Sequence, residues 1–286
     1  MDALALTLSA ADLAKRAEEV AAARGVSGAI SIVAVAVGPE GRAEIDLAGD
    51  RPFYPASVMK LFILAYVAYQ LDRGILTMTD ELQRAARDLI RDSNNDATGY
   101  LIDLACGTTP GPELAGSELE VFVARRAAMN TFFADQFGLD VEVRNRTYNE
   151  GPYGREVQLM GANRTFRNRL TPRAATHLMA AVVTGDGFSS ARAAWMRELL
   201  TRAHPGPVEP PVVDSAEPQG PASFPAALPG SVPSLSTAGW MSEVRHDVLA
   251  RRRGQAGWEV VAVFTEIPDD QGFITALGRR LWSGAS

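Results

Sequence analysis

The chain has 286 residues, 47% of them hydrophobic, and a net charge of -6 at pH 7, enough apolar material for one large domain or two joined lobes. That charge argues against nucleic acid as a partner and gives no membrane signal. A single cysteine, Cys106, excludes an internal disulfide and reads as a small buried apolar residue.

Met1-Asp2-Ala3-Leu4-Ala5-Leu6 lacks the basic start and long apolar region of a secretory signal, so a cytoplasmic protein is expected unless a leader has been removed. Residues Ala10 to Arg24 read as an amphipathic helix. Ala29 to Val37, rich in β-branched residues, and the alternating Arg42 to Leu47 read as a hairpin about the turn Gly38-Pro39-Glu40-Gly41. Ser57 to Arg73 is apolar nearly all round, which predicts a central helix covered on every side but is too short an apolar run to span a bilayer. Further helices are predicted at Asp80–Arg91, Ala97–Leu104, Glu118–Phe137, Thr171–Thr184 (with Pro172 just inside its start) and Ala191–Arg202. Pro205 to Pro233 reads as a surface loop rich in Pro, Ala and Ser. Val244–Arg251 and Trp258–Thr265 read as strands joined by Arg253-Gly254-Gln255-Ala256-Gly257, and Gly272–Trp282 as a closing helix. Strands at both ends with helices between predict an α+β plan: an antiparallel sheet built from both termini and flanked by helices, plus an all-helical lobe. The expected organisation is a single domain, 1–286, with an α/β lobe over about 1–56 and 226–286 and a helical lobe over about 57–225.

Of the 28 basic residues only Lys15 and Lys60 are lysines. Arginine stays charged at any accessible pH, whereas a buried ammonium can shed its proton and act as a base. Lys15 lies in a polar stretch where either cation serves. Lys60 interrupts the apolar run Val58 to Tyr69, and Ser57 stands three residues before it, on the same face of a helix. A desolvated amine next to a serine hydroxyl is a base next to a nucleophile, and a helix N-terminus favours the negative charge that builds up on attack. Taken alone, Ser57-Val58-Met59-Lys60 also describes an N-cap serine followed by a lysine reaching for solvent. A second polar cluster, Arg91-Asp92-Ser93-Asn94-Asn95-Asp96-Ala97, reads either as a turn with a helix cap or as a proton relay (Ser93) and an amide-binding group (Asn95). A third, Ser236-Thr237-Ala238-Gly239-Trp240, opens a strand whose Gly239 lets a ligand lie close and whose backbone amides can hold an oxyanion; an ordinary strand start reads the same way.

In this order and spacing the three clusters resemble the penicillin-recognising serine enzymes, above all the class A β-lactamase fold, whose signature is Ser-x-x-Lys, Ser-Asp-Asn and Lys-Thr-Gly. Tyr54-Pro55-Ala56, Leu170 to Ala175 with Thr184-Gly185, and Ala226-Ala227-Leu228-Pro229 extend the resemblance over most of the chain. It implies Ser57 as the acylated nucleophile, Lys60 as its base or proton shuttle, and Ser93 and Asn95 as the opposite wall. It also implies an oxyanion hole from the backbone amides of Ser57 and Trp240. The family's deacylating glutamate falls in the segment Arg144 to Arg169, where Glu150 is the first choice and Glu156 the second, with a surface carboxylate of no role as the alternative.

The departures are Ser93-Asn94-Asn95, a mild change, and Thr237-Ala238-Gly239, which loses the lysine and the hydroxyl that grip a β-lactam carboxylate. Arg245, on the next strand, is the candidate replacement cation. The expectation is a serine hydrolase or acyltransferase acting on a small ester, amide or lactam through an acyl-Ser57 intermediate, and not an efficient penicillinase. A genuine class A-type β-lactamase and a non-catalytic binding domain on the same scaffold are the alternatives. His177 and His204 read as structural or exposed, and His246 as a satisfied strand histidine or, alternatively, an edge of the cleft; no spacing of His, Cys or carboxylates suggests a metal, and no cofactor is expected.

Overall fold

The computed structural model describes residues 9–39, 41–148, 151–202, 234–253, 257–267 and 271–282. Expectations for Glu150, His204, the Pro-rich stretch 205–233 and the turn residues 254–256 lie outside the described residues. The chain divides into two compact units: a sheet unit of Met1–Val58, Thr171–Thr184 and Thr201–Ser286, and a helical unit of Met59–Leu170 and Gly185–Leu200.

In the sheet unit, α1 (Ala10–Arg24) starts at a capping box in which Ser9 and Asp12 satisfy each other's backbone amides. The hairpin follows as β1 (Ile30–Gly38) and β2 (Gly41–Leu47). The strands β3 (Thr201–Arg202), β4 (Ser234–Met241), β5 (Val244–Arg253) and β6 (Gly257–Thr265) complete the sheet, and α9 (Gln271–Trp282) closes the chain. Among the described residues the order is β2-β1-β6-β5-β4-β3, with every neighbouring pair antiparallel. The fold is thus the expected α+β plan, with the sheet assembled from both ends of the chain: Val33 pairs with Ala262, and Ala34 with Val261.

The apolar run of β1 has a direct cause. Ile32 and Ala34 join Leu249, Val261 and Val263 in a core with Leu13 and Ala17 of α1 and Phe273, Ile274 and Leu277 of α9. Val33 and Val35 point the other way and are also 0% exposed. The helix α7 (Pro172–Thr184) covers that second face, its Thr176 hydroxyl reaching the carbonyl of Val33 at 3.4 Å. Helix 172–184, placed by the sequence in the helical lobe, therefore goes with the sheet, because its apolar side is buried on the strands.

The helical unit is built around α2 (Met59–Asp72), which follows directly on a 3-10 turn, Ala56–Val58. Its side chains are buried all round, as a helix without a polar face requires. Around it stand α3 (Asp80–Arg91), α4 (Asn95–Cys106), α5 (Gly116–Phe137) and α8 (Ser190–Leu200). A short helix, α6 (Arg155–Leu159), and a bridge between Glu142 and Arg169 organise a segment that the sequence leaves as loop. The predicted helix ending at Arg202 stops at Leu200; Thr201 and Arg202 pair instead with Leu235 and Ser234 at the sheet edge.

Candidate active site

Lys60 sits in the first turn of α2 and is 1% exposed. Its Nζ donates to Ser93 Oγ and Asn95 Oδ1, both at 2.9 Å, and to the Ser93 carbonyl. All three acceptors are neutral. Among the described residues no opposing charge bonds it, and burial lowers the amine from its ordinary 10.5 to about 7, so a large share of it is an unprotonated base at neutral pH. The acceptors are held in place by a cap: Asn94 accepts the amide of Ala97 at 2.8 Å and opens α4, so its neighbours Ser93 and Asn95 turn toward the amine. The asparagine in the middle of the cluster does the capping that an aspartate would do. Ser93 itself has φ +50°, a conformation that costs a residue with a Cβ about 1–2 kcal/mol.

In the sheet unit, half-buried Ser57 lies in the 3-10 turn, and Ala56 before it has φ +45°. Strand β4 passes this turn closely. A Cβ at Gly239 would stand 2.7 Å from the Pro55 carbonyl oxygen, 2.8 Å from the Ser57 amide nitrogen and 2.9 Å from that of Val58. Only glycine permits this approach, which brings strand backbone beside the Ser57 amide. Thr237 is two residues away on the same face and 7% exposed, and Trp240 follows Gly239.

The family model of the beta-lactamase enzyme family matches residues 12–95 and 81–284, nearly the whole chain. The chain belongs to the beta-lactamase enzyme family. Among solved structures it is similar to a beta lactamase from Burkholderia vietnamiensis, at 16% identity and TM-score 0.66, covering 96% of this chain and 97% of that one. A class A beta-lactamase from Mycobacterium abscessus matches at 17% identity and TM-score 0.63, covering 94% and 98%. A PBP-A mutant, in acyl-enzyme complex with penicillin G, matches at 18% identity and TM-score 0.63, covering 95% and 96%. At these identities the likeness is one of fold. No curated protein sequence matches the chain.

In this beta-lactamase family member the structure corrects one residue. Arg245 pairs with Trp240, and Gly239 pairs with His246. Side chains alternate along a strand, so Arg245 shares the face of Leu249, which packs on α1 and α9, opposite to the face of Gly239 and the Ser57 turn. It is 3% exposed, with its guanidinium 5.4 Å from the Trp240 ring, and is not a cation for the third motif. His246 faces the turn as a structural residue: Nε2 donates to the Tyr54 carbonyl at 2.8 Å, Nδ1 accepts the Thr265 amide at 3.2 Å, and the ring stacks on Phe264 at 4.3 Å. Its burial lowers the imidazole to about 4, and it stays neutral.

Glu156, the second choice for a deacylating base, is 2% exposed and committed: Oε1 accepts from Arg126 at 2.7 Å and Oε2 from the Tyr148 hydroxyl at 2.7 Å. Arg126, 0% exposed, also bonds Asp103 at 2.6 Å, Thr108 at 2.8 Å and the Arg144 carbonyl at 3.1 Å. Burial raises the Asp103 carboxyl despite Arg126 and Arg146, and it raises the Tyr148 hydroxyl as well. Sequence reading missed this network, although Arg126 stands between Phe122 and Met129 on the buried stripe of α5. Cys106, 8% exposed with its thiol pushed up to about 12 by burial, is the inert residue expected. Among the described residues no group of His, Cys, Asp and Glu could hold a metal, and no helix is long and apolar enough to cross a membrane.

Proposed function

We propose that this family member transfers acyl groups through Ser57. Lys60, unprotonated near neutral pH, takes the hydroxyl proton as Ser57 Oγ attacks the carbonyl carbon of a small ester, amide or lactam. The backbone amides of Ser57 and Trp240 receive the oxyanion, and Ser93 passes a proton from Lys60 to the leaving group. Attack forms the acyl-Ser57 ester as the bond to the leaving alcohol or amine breaks, and water or an amine then releases the acyl group. The observation that carries this reading is the burial of Lys60 among neutral oxygens, one helical turn along the chain from Ser57.

Thr237-Ala238-Gly239 offers no cation, and Arg245 lies on the opposite face, so the group that would hold a β-lactam carboxylate is missing from this strand. We therefore assign esters and amides ahead of penicillins. Family membership favours β-lactam hydrolysis as the second reading. A fluorophosphonate should label the intact protein once, seen as one mass increment, and Ser57→Ala should abolish it. Undiminished labelling of that variant would end the proposal. Nitrocefin turnover at rates matching the best ester, lost in Ser57→Ala, would select the second reading; a series of amine acceptors separates transfer from hydrolysis.

A further inference from the structure

Around α6 the helical unit forms an open cavity of about 400 Å³ that acyl transfer does not use, since neither Ser57 nor Lys60 lines it. Tyr153, Val157 and Met160 make its apolar wall, and Asn163 and Arg164 its polar side. Tyr153 is 76% exposed and Val157 48%, so apolar surface is left facing this hollow. The walls are held from behind. Glu156, next to Val157 on α6, faces inward and accepts from Arg126 and the Tyr148 hydroxyl, both at 2.7 Å. On the other side the Phe166 ring packs on the backbone at Gly161, where a Cβ would stand 2.8 Å from the ring, and the Phe166 amide donates to the Met160 carbonyl at 2.9 Å. A cavity fixed in this way need not be ordered by its ligand.

The backbone is strained where the cavity's charge stands. Asn163 and Arg164 are consecutive residues in the left-handed region, with φ of +55° and +56°. Asparagine tolerates this conformation; arginine does so poorly, and a glycine would relieve it. Strain kept at a charged residue on a cavity points to a use for its side chain. Arg164 is exposed, and among the described residues its guanidinium makes neither a hydrogen bond nor an ion pair. Its neighbours differ. Arg144 is bound to Glu142 at 2.6 Å, and Arg155 donates to the carbonyls of Pro112 and Thr109. No carboxylate is among the residues that line the cavity.

We propose that this cavity binds a small monocarboxylic acid with an aromatic body, its carboxylate on Arg164 and its ring against Tyr153, Val157 and Met160. One guanidinium matches one carboxylate bidentately, and the side-chain amide of Asn163 supplies a further donor. A phosphate monoester would bring a second charge, for which the lining has no second cation. The tyrosine ring and the methionine sulfur both favour an aromatic body over a plain alkyl chain. The volume lies within the range of small-molecule sites, about 300–1,000 Å³.

Calorimetric titration with hydrocinnamate and with hydrocinnamamide, its uncharged counterpart of the same shape, tests this. The acid should bind about tenfold more tightly, the factor given by one charged pair worth about 1.4 kcal/mol. Arg164→Gln, a change at an exposed position, should bring that ratio close to one, whereas Arg84→Gln, at an exposed arginine of α3, should leave it as it is. Val157→Ser should weaken both compounds several-fold and keep the ratio. In protein with labelled methionine methyl groups, the Met160 signal, assigned through Met160→Leu, should move on addition of the acid, while that of Met59, next to Lys60 in the chain, should not. Equal affinity for both compounds, no binding of either at millimolar concentration, an unchanged ratio in Arg164→Gln, or a shift of Met59 in place of Met160 overturns the assignment. None of these measurements uses Ser57, so they decide the site whether or not that serine is acylated.

Discussion

Among the described residues two cations, Arg126 and Lys60, are buried in the helical unit, and their surroundings are opposite. Arg126 has two carboxylates, a hydroxyl and a carbonyl around it; Lys60 has a hydroxyl, a carbonyl and a side-chain amide oxygen. The first arrangement surrounds a cation with counter-charge and ties α5 to Arg144 and Glu156. The second solvates an amine well enough to hold it in place, but not well enough to keep it protonated. Burial by itself does not make a base; burial without a counter-ion does.

Replacing Lys60 breaks the contrast at its most sensitive point. Lys60→Met and Lys60→Arg should each slow acylation about 10²- to 10⁴-fold, the usual contribution of a positioned base, measured as the rate of fluorophosphonate labelling. Wild-type labelling should rise with pH through about 7, and that limb should vanish in Lys60→Met. Stability gives an independent reading with a definite sign. The folded amine titrates near 7 and the unfolded one near 10.5, so the unfolded chain binds the extra proton between these values. The penalty is complete below pH 7 and fades as pH rises toward 10.5. Lys60→Met should thus be more stable than wild type at pH 6, by up to roughly 5 kcal/mol, and should lose most of that advantage by pH 10. Urea denaturation of both proteins at the two pH values checks it; an equal gap at both would contradict a desolvated amine.

The other cation should respond with the opposite sign. Arg126→Met leaves buried Glu156 and half-buried Asp103 without their shared partner and should cost about 3–5 kcal/mol, read from the same denaturation curves. A gain in stability would show that this cation too is merely tolerated. The smallest effect should come from Gly239→Ala, whose new methyl meets backbone atoms of the Ser57 turn at 2.7–2.9 Å. A stability loss of about 1–3 kcal/mol is expected from overpacking, with labelling reduced more than stability accounts for. Normal labelling would detach strand β4 from the oxyanion role.

Much of this was readable along the chain. The bounds of α1 and α3, the N-terminal hairpin and the last two strands follow from local periodicity and turn residues, and the scarcity of lysine singled out Lys60. Helix α4 begins two residues before the apolar pattern does, because its start depends on the Asn94 cap. Helix α6 is five residues long, too short to leave a periodic trace.

Local chemistry is a property of neighbours in sequence, so the amino-acid order alone marked most of the longer elements, the family resemblance and a serine standing three residues before a lysine in an apolar run. Only tertiary structure decided the rest. Arg126 finds Asp103 and Glu156 at separations of 23 and 30 residues, which no local pattern encodes. Arg245 fell to the far face because β4 meets β5 with Gly239 opposite His246, and a shift of one residue in that register would have reversed it. The lowered pKa of Lys60 likewise required the fold, since an apolar run announces burial but only packing decides whether a carboxylate comes with it.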